Sequence, residues 1–279
     1  MIEPSGAVPL EATSPFDLRV SLGDDVPETD VRSALASGDM GFLHSFTTGS
    51  AVDGPGIRVV AWTTGCMWRC QYCHNPDTWT MRNGIPVAVT RALDELRKYR
   101  VGLKVMAGGV TISGGEPLMQ DRFVMKLLAG AKEMGIHTAM ESNGYLHERV
   151  SDAELANIDL VMLGIKAWDP ELHQTLTGRA IASTLAFARR LADLKRPIWV
   201  RFVLVPGLTD DPRDIANIAG FAADLGNVQR VDVLPFHQMG RYKWERLKLR
   251  YALQNVPPPS HAEVERAVSI FRSEELDAY

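Results

Sequence analysis

Three cysteines stand within eight residues, Cys66-Met67-Trp68-Arg69-Cys70-Gln71-Tyr72-Cys73, and the chain has no others. An odd, tightly clustered set is a poor disulfide framework. In a reducing compartment such a set points to metal ligands or catalytic thiols. Thiolates are the ligands that suit iron–sulfur clusters. A four-iron cubane held by three cysteines has one iron without a protein ligand. That open corner is able to chelate a substrate, as the vacant position of a catalytic zinc does. Zinc is the weaker alternative: His74 directly follows Cys73, and adjacent residues seldom both reach one tetrahedral ion. Inert core cysteines are the third reading.

The elements that must position these thiols follow from the apolar pattern. Ile57–Thr63 is a β-branched, apolar run and reads as a buried strand. Further strands are expected at Val110–Ser113, His137–Met140, Leu160–Leu163, Ile198–Val205 and Val228–Phe236. Helical faces lie between them. Thr90 stands as a cap before Leu93, Leu96 and Tyr99, and Gly135 closes the stripe of Phe123, Leu127 and Ala131. Leu185 to Leu194 and Ile215 to Leu225 give two more helices, and Ser260 with Glu263 forms a capping box for the last. Strands alternating with helices predict an α/β fold of repeated βα units around a parallel sheet. Six such units fall short of the eight that close a barrel, so the expected architecture is an open, partial (β/α)6 barrel.

Bulk properties narrow the function class. The net charge of −4 gives no electrostatic reason for nucleic-acid or anionic-membrane binding. No apolar run approaches the ~18 residues of a spanning helix. Met1-Ile2-Glu3-Pro4 lacks the positive start and apolar core of a secretory signal, so a cytoplasmic protein is expected. Residues 1–42 hold eight acids against two bases, with few aromatics, and read as an acidic, partly disordered lead segment before a domain over 43–279. Arg241, Lys243, Arg246, Lys248 and Arg250, with Tyr242, Trp244 and Tyr251 between them, read as a solvated face, or else as a docking surface for a partner protein.

The C-x3-C-x-aromatic-C spacing is the signature of radical S-adenosylmethionine enzymes, which this sequence therefore resembles. Further motifs narrow the likeness. Asp53-Gly54-Pro55-Gly56 precedes the cysteines, and His74-Asn75-Pro76-Asp77-Thr78-Trp79 follows them. Ser113-Gly114-Gly115-Glu116 and Leu234-Pro235-Phe236-His237 come later. From roughly Gly41 to Phe271 this order is similar to that of the activases of glycyl-radical enzymes, the pyruvate formate-lyase type in particular. Many activases of other glycyl-radical enzymes, the runner-up partners, carry an extra cysteine-rich insert that this chain lacks. The reading from a different class is a non-catalytic electron-transfer or zinc module.

The resemblance implies a [4Fe-4S] cluster on Cys66, Cys70 and Cys73, and S-adenosylmethionine bound at its open iron. An electron from the cluster splits the sulfonium. The 5′-deoxyadenosyl radical then takes a hydrogen atom from a glycine of the partner enzyme, under anaerobic conditions. It also implies pyruvate formate-lyase as protein substrate, a flavodoxin-like electron donor and a monomeric activase. By the same likeness Tyr72, Cys73 and His74 contact adenine, and Gly114, Gly115 and Glu116 meet the methionine moiety. Lys166, beside Gly164 and Ile165, faces the cofactor carboxylate, and Glu141, Arg201 and His237 complete the pocket from the strand ends. Asp53 is implied near the entering glycine loop. Family members place two aspartates around a monovalent cation. Here Glu141 keeps one carboxylate, and Gly164 supplies none.

Overall fold

A computed structural model describes residues 31–279. The first thirty residues, most of the acidic lead segment, lie outside that range. The described residues divide into two compact units, residues 31–66 with Thr78–His137 and Met67–Asp77 with Thr138–Tyr279. The division falls inside the cysteine run.

The first unit holds α1 (Val31–Ser37), β1 (Met40–Ser50), β2 (Arg58–Thr63), β3 (Ile85–Ala88), α2 (Val89–Val105), β4 (Gly109–Gly114) and α3 (Asp121–Glu133). β1 thus crosses the expected boundary between residues 42 and 43. β2 runs parallel to β4 and antiparallel to β1, and β1 pairs in turn with the short edge strand β3. α2 starts one residue before Thr90, with Ala88 as its cap, so the cap expected at Thr90 is not used. Pro86 explains part of this. Proline is confined to edge strands and strand starts, and β3 carries the chain straight into the helix.

The second unit begins, after the cysteine run, at β5 (His137–Ser142), whose first residue belongs to the first unit. It continues through α4 (Asp152–Leu155), β6 (Leu160–Gly164), α5 (Pro170–Thr177), α6 (Ala182–Asp193) and β7 (Ile198–Leu204). α7 (Pro212–Leu225), β8 (Val228–Pro235), α8 (Arg241–Arg246) and α9 (His261–Ser273) complete it. β5, β6, β7 and β8 are all parallel. Every residue of β6 is buried, the mark of a strand covered on both faces. Asp211 caps α7 through the Arg213 and Asp214 amides, Gly226 ends it at φ +68°, and Ser260 with Glu263 makes the capping box of α9. α9 drives Phe271 against Phe202 of β7, ring centroids 5.9 Å apart.

All six strands expected from the apolar runs are present. The sheet is mostly parallel, and its pairing order does not close on itself, so the α/β, open architecture holds. Among the described residues no helix is long and apolar enough to cross a membrane.

Candidate functional site

The Cys66 limb is built at the C-terminal ends of β2 and β4. The Cys66 amide donates to the Trp79 carbonyl at 3.1 Å, and the Gly65 amide to Thr78 at 2.7 Å. From β4, Gly115 donates to Thr63 and Glu116 to Gly65. The backbones approach so closely that a Cβ on Gly115 would stand 2.3 Å from the Gly65 carbonyl oxygen, and Gly114 sits at φ +115°. These glycines are therefore demanded by the close approach of the segment that runs from β2 to Cys66. The buried Glu116 carboxylate accepts from the Leu118 amide at 3.0 Å and caps the turn that follows.

Asp53 is buried, and its carboxylate accepts from the Ser50 hydroxyl at 2.5 Å. Its turn is held from below by Arg58, which has no exposed surface. Arg58 Nε donates to Thr111 Oγ1 at 3.0 Å, and that hydroxyl donates in turn to the Asp53 carbonyl at 2.5 Å. Arg58 Nη2 donates to the Val110 carbonyl at 2.5 Å. Asp53 is thus tied into a local hydrogen-bond network.

In the second unit the loop from Met67 to Asp77 is fastened at several points. The C-terminal carbonyls of α5 have no helical partners of their own. Thr177 accepts from the Arg69 amide at 2.8 Å, Leu176 from the Gln71 amide at 3.0 Å, and Thr175 from the Gln71 side chain at 2.9 Å. Trp68 is the buried anchor, packed edge-on against His173 at 5.1 Å and against Tyr145 at 6.5 Å. Cys66, Cys70 and Cys73 are each half-buried. Burial raises the Cys70 thiol above its ordinary pKa, and the Lys166 ammonium opposes that rise. Tyr72 is buried, its hydroxyl has no hydrogen-bond partner among the described residues, and burial with Cys70 and Cys73 nearby pushes it well up.

His74 and His237 face each other with ring centroids 5.7 Å apart. The surrounding protein mass lowers His74 to about 4, Glu141 pulling up and His237, Lys243 and Lys166 pushing down. The ring is therefore neutral at pH 7.

Lys166 lies just past β6, and the segment behind it is pinned by the buried Asp214. Its carboxylate accepts from the Trp168 amide at 2.9 Å and the Asp169 amide at 2.7 Å. The lysine folds back over Gly164, where a Cβ would stand 2.6 Å from Nζ and 2.9 Å from Cε. Ile165 is fully buried. Arg201 is not at a strand end. It sits mid-strand in β7, in register with Gly164 of β6 and Asp232 of β8. Its guanidinium lies 3.2 Å from the Glu141 carboxylate and 3.7 Å from Asp232. Arg230 holds the other side of Asp232 at 2.5 Å. Glu141 thus spends its charge on an arginine.

Sequence reasoning missed Asp214, Asp232 and the inner face of α8. The expected solvated face fails at Lys243, Trp244 and Tyr251, which turn inward. Arg241, Arg246, Lys248 and Arg250 are exposed as expected.

Gly164→Ala should move a flexible lysine tip rather than backbone, so stability is expected to stay within about 1 kcal/mol of the parent. The displaced ammonium would no longer lower Cys70. Alkylation of metal-free protein near pH 8, followed residue by residue by mass spectrometry, is expected to slow at Cys70. Unchanged Cys70 reactivity contradicts the geometry.

The donor set fits a cluster. Three thiols follow one another within eight residues of sequence, and thiolates are the soft ligands that such clusters take. A cubane spreads its thiolates over separate corners, which suits soft ligands on a short loop.

Residues 60–219 match the Radical SAM superfamily. The chain is 41% identical over 234 residues to the pyruvate formate-lyase-activating enzyme of Staphylococcus epidermidis, covering 81% of this chain and 93% of that one. It is 40% identical over 233 residues to the pyruvate formate-lyase 1-activating enzyme of Escherichia coli K12, covering 83% and 95%. A solved domain of such an enzyme from Bacteroides vulgatus superposes with a TM-score of 0.52 at 27% identity, over 62% of this chain and 98% of that domain. A radical SAM methyltransferase from Sphaerobacter thermophilus shares the fold, with a TM-score of 0.59 at 16% identity, over 91% of this chain and 81% of that one.

Proposed function

Because the chain belongs to the radical S-adenosylmethionine superfamily and, within it, to the pyruvate formate-lyase-activating enzymes, we propose that Cys66, Cys70 and Cys73 hold its [4Fe-4S] cluster and that pyruvate formate-lyase is its protein substrate. When bound, the cluster supplies the electron that splits S-adenosylmethionine, and the carbon radical so released removes a hydrogen atom from a glycine of the partner. The observation that carries the reading is that the chain's only cysteines form one C-x3-C-x2-C run directly after β2.

The remaining roles belong to this chain's side chains. Lys166 carries an ammonium that pairs with the cofactor carboxylate, and Asp214 holds the backbone of the two residues that follow Ala167. Arg201, between Glu141 and Asp232, offers a guanidinium from the middle of β7. The stretch Tyr72-Cys73-His74 offers backbone groups and rings to the adenine, with His74 neutral and therefore able to accept as well as donate. His237 opposes it. Gly114, Gly115 and Glu116 line the methionine end, and Asp53 the entry of the partner loop. The electron comes from a flavodoxin-like donor, and the activase works as a cytoplasmic monomer.

Lys166→Ala removes a charge-assisted contact. S-adenosylmethionine affinity, measured by anaerobic calorimetry on cluster-loaded protein, is expected to fall roughly 10- to 100-fold. Unchanged affinity removes Lys166 from the site. The function itself is tested by mixing the reduced, loaded protein with S-adenosylmethionine and purified glycyl-radical enzymes in turn. A glycyl-radical signal by EPR on pyruvate formate-lyase is the expected result. A signal only on another lyase reassigns the partner.

A further inference from the structure

One short helix holds the far end of the cysteine run, and we propose that α8 is a latch on the cluster loop, with Trp244 and Lys243 as its positioning residues. The Trp244 indole N–H donates to the carbonyl oxygen of Cys73 at 2.8 Å. Lys243 Nζ donates to Asn75 Oδ1 at 2.7 Å and pairs with the Asp77 carboxylate at 2.9 Å. The lysine and aspartate side chains are only 17% and 9% exposed, so this pair escapes most of the screening that makes surface ion pairs weak. Trp244 is buried and packs on buried Tyr251 with ring centroids 5.0 Å apart. Just before the helix, Gly240 presses on the loop itself, where a Cβ would stand 2.6 Å from His74 Cα. One segment thus touches Cys73, His74, Asn75 and Asp77.

The chemistry of the contacts explains the residue types. A desolvated carbonyl on a ligand cysteine costs energy unless a donor meets it. Phenylalanine would fill the same space against Tyr251, and only the indole adds the N–H. Thiol ligands held in place before metal arrives lower the ordering cost of binding it. The latch itself is a property of the metal-free chain, and only its consequence for metal retention rests on the cluster reading above.

Trp244→Phe keeps the ring and removes the donor. Lys243→Met removes the charge, and Lys243→Arg keeps it. In metal-free protein, backbone amide exchange across residues 70–77 is expected to quicken about fivefold to tenfold in Trp244→Phe and in Lys243→Met. Lys243→Arg should restore most of the protection. In anaerobically reconstituted protein the same two variants should lose iron to a chelator several-fold faster than the parent. Unchanged exchange and unchanged iron loss in variants that fold like the parent overturn the latch. If Trp244→Phe does not fold, the Lys243 pair decides. A parent protein that takes up no four-iron cluster would count against the cluster reading alone, and the exchange rates would still judge the latch.

Discussion

Cys70→Ala is expected to abolish the bound cubane and, with it, all formation of 5′-deoxyadenosine. Two remaining thiolates cannot hold three corners, and no fourth cysteine exists in the chain to substitute. Cys70 is also the ligand whose ionisation the fold manages, with burial working against the thiolate and Lys166 working for it. The fold should survive, because the loop's fastenings come from Trp68, the α5 carbonyls and α8, none of which involves the Cys70 sulfur. Iron and sulfide analysis together with a near-ultraviolet dichroism spectrum checks both halves. A variant that still carries four irons contradicts the ligand assignment.

Arg58→Ala is the substitution expected to cost the most stability. The side chain is wholly buried beneath the Asp53–Gly56 turn and donates to Thr111, Val110 and Pro55. Its removal strands several buried acceptors and leaves a cavity. Together these should destabilise the fold by about 3–5 kcal/mol in denaturant titration. Thr111 bridges Arg58 to the Asp53 carbonyl, so the turn should loosen as well. A loss below about 1 kcal/mol would show that the arginine's bonds are replaced by water.

Much of this was legible in the sequence. β2, β4, β6 and β7 announce themselves as apolar, largely β-branched runs because nearly all their residues are buried, as β6 illustrates with every residue buried. The cysteine run needs only local spacing. β1 is harder to see: Gly41, His44, Ser45, Thr47, Thr48 and Gly49 break its apolar pattern, and its pairing with β2 is irregular at two places. β3 hides behind Pro86 and a length of four residues.

The parts of the site that no local pattern records are contacts between distant positions. Trp244 meets Cys73 from 171 positions away, and nothing in a basic, aromatic segment foretells which side chains turn inward. Asp214 caps nothing recognisable in sequence, yet it fixes the backbone behind Lys166 from 46 positions away. Arg201 stands in the middle of the apolar run Ile198–Val205, so its mid-strand place is legible in the sequence, whereas the residues beside it are not, because register is invisible until neighbouring strands are known. Its level, set by Gly164 and Asp232, emerges only from the sheet.

The proposed reaction requires one corner of the cluster to be open to the cofactor. Protein reconstituted anaerobically with 57Fe should be examined by Mössbauer spectroscopy before and after S-adenosylmethionine is added. The expected result is one four-iron cubane per chain, in which a single iron changes its isomer shift and quadrupole splitting when the cofactor binds. Absence of a cubane, or four irons that stay indistinguishable with the cofactor present, would contradict it.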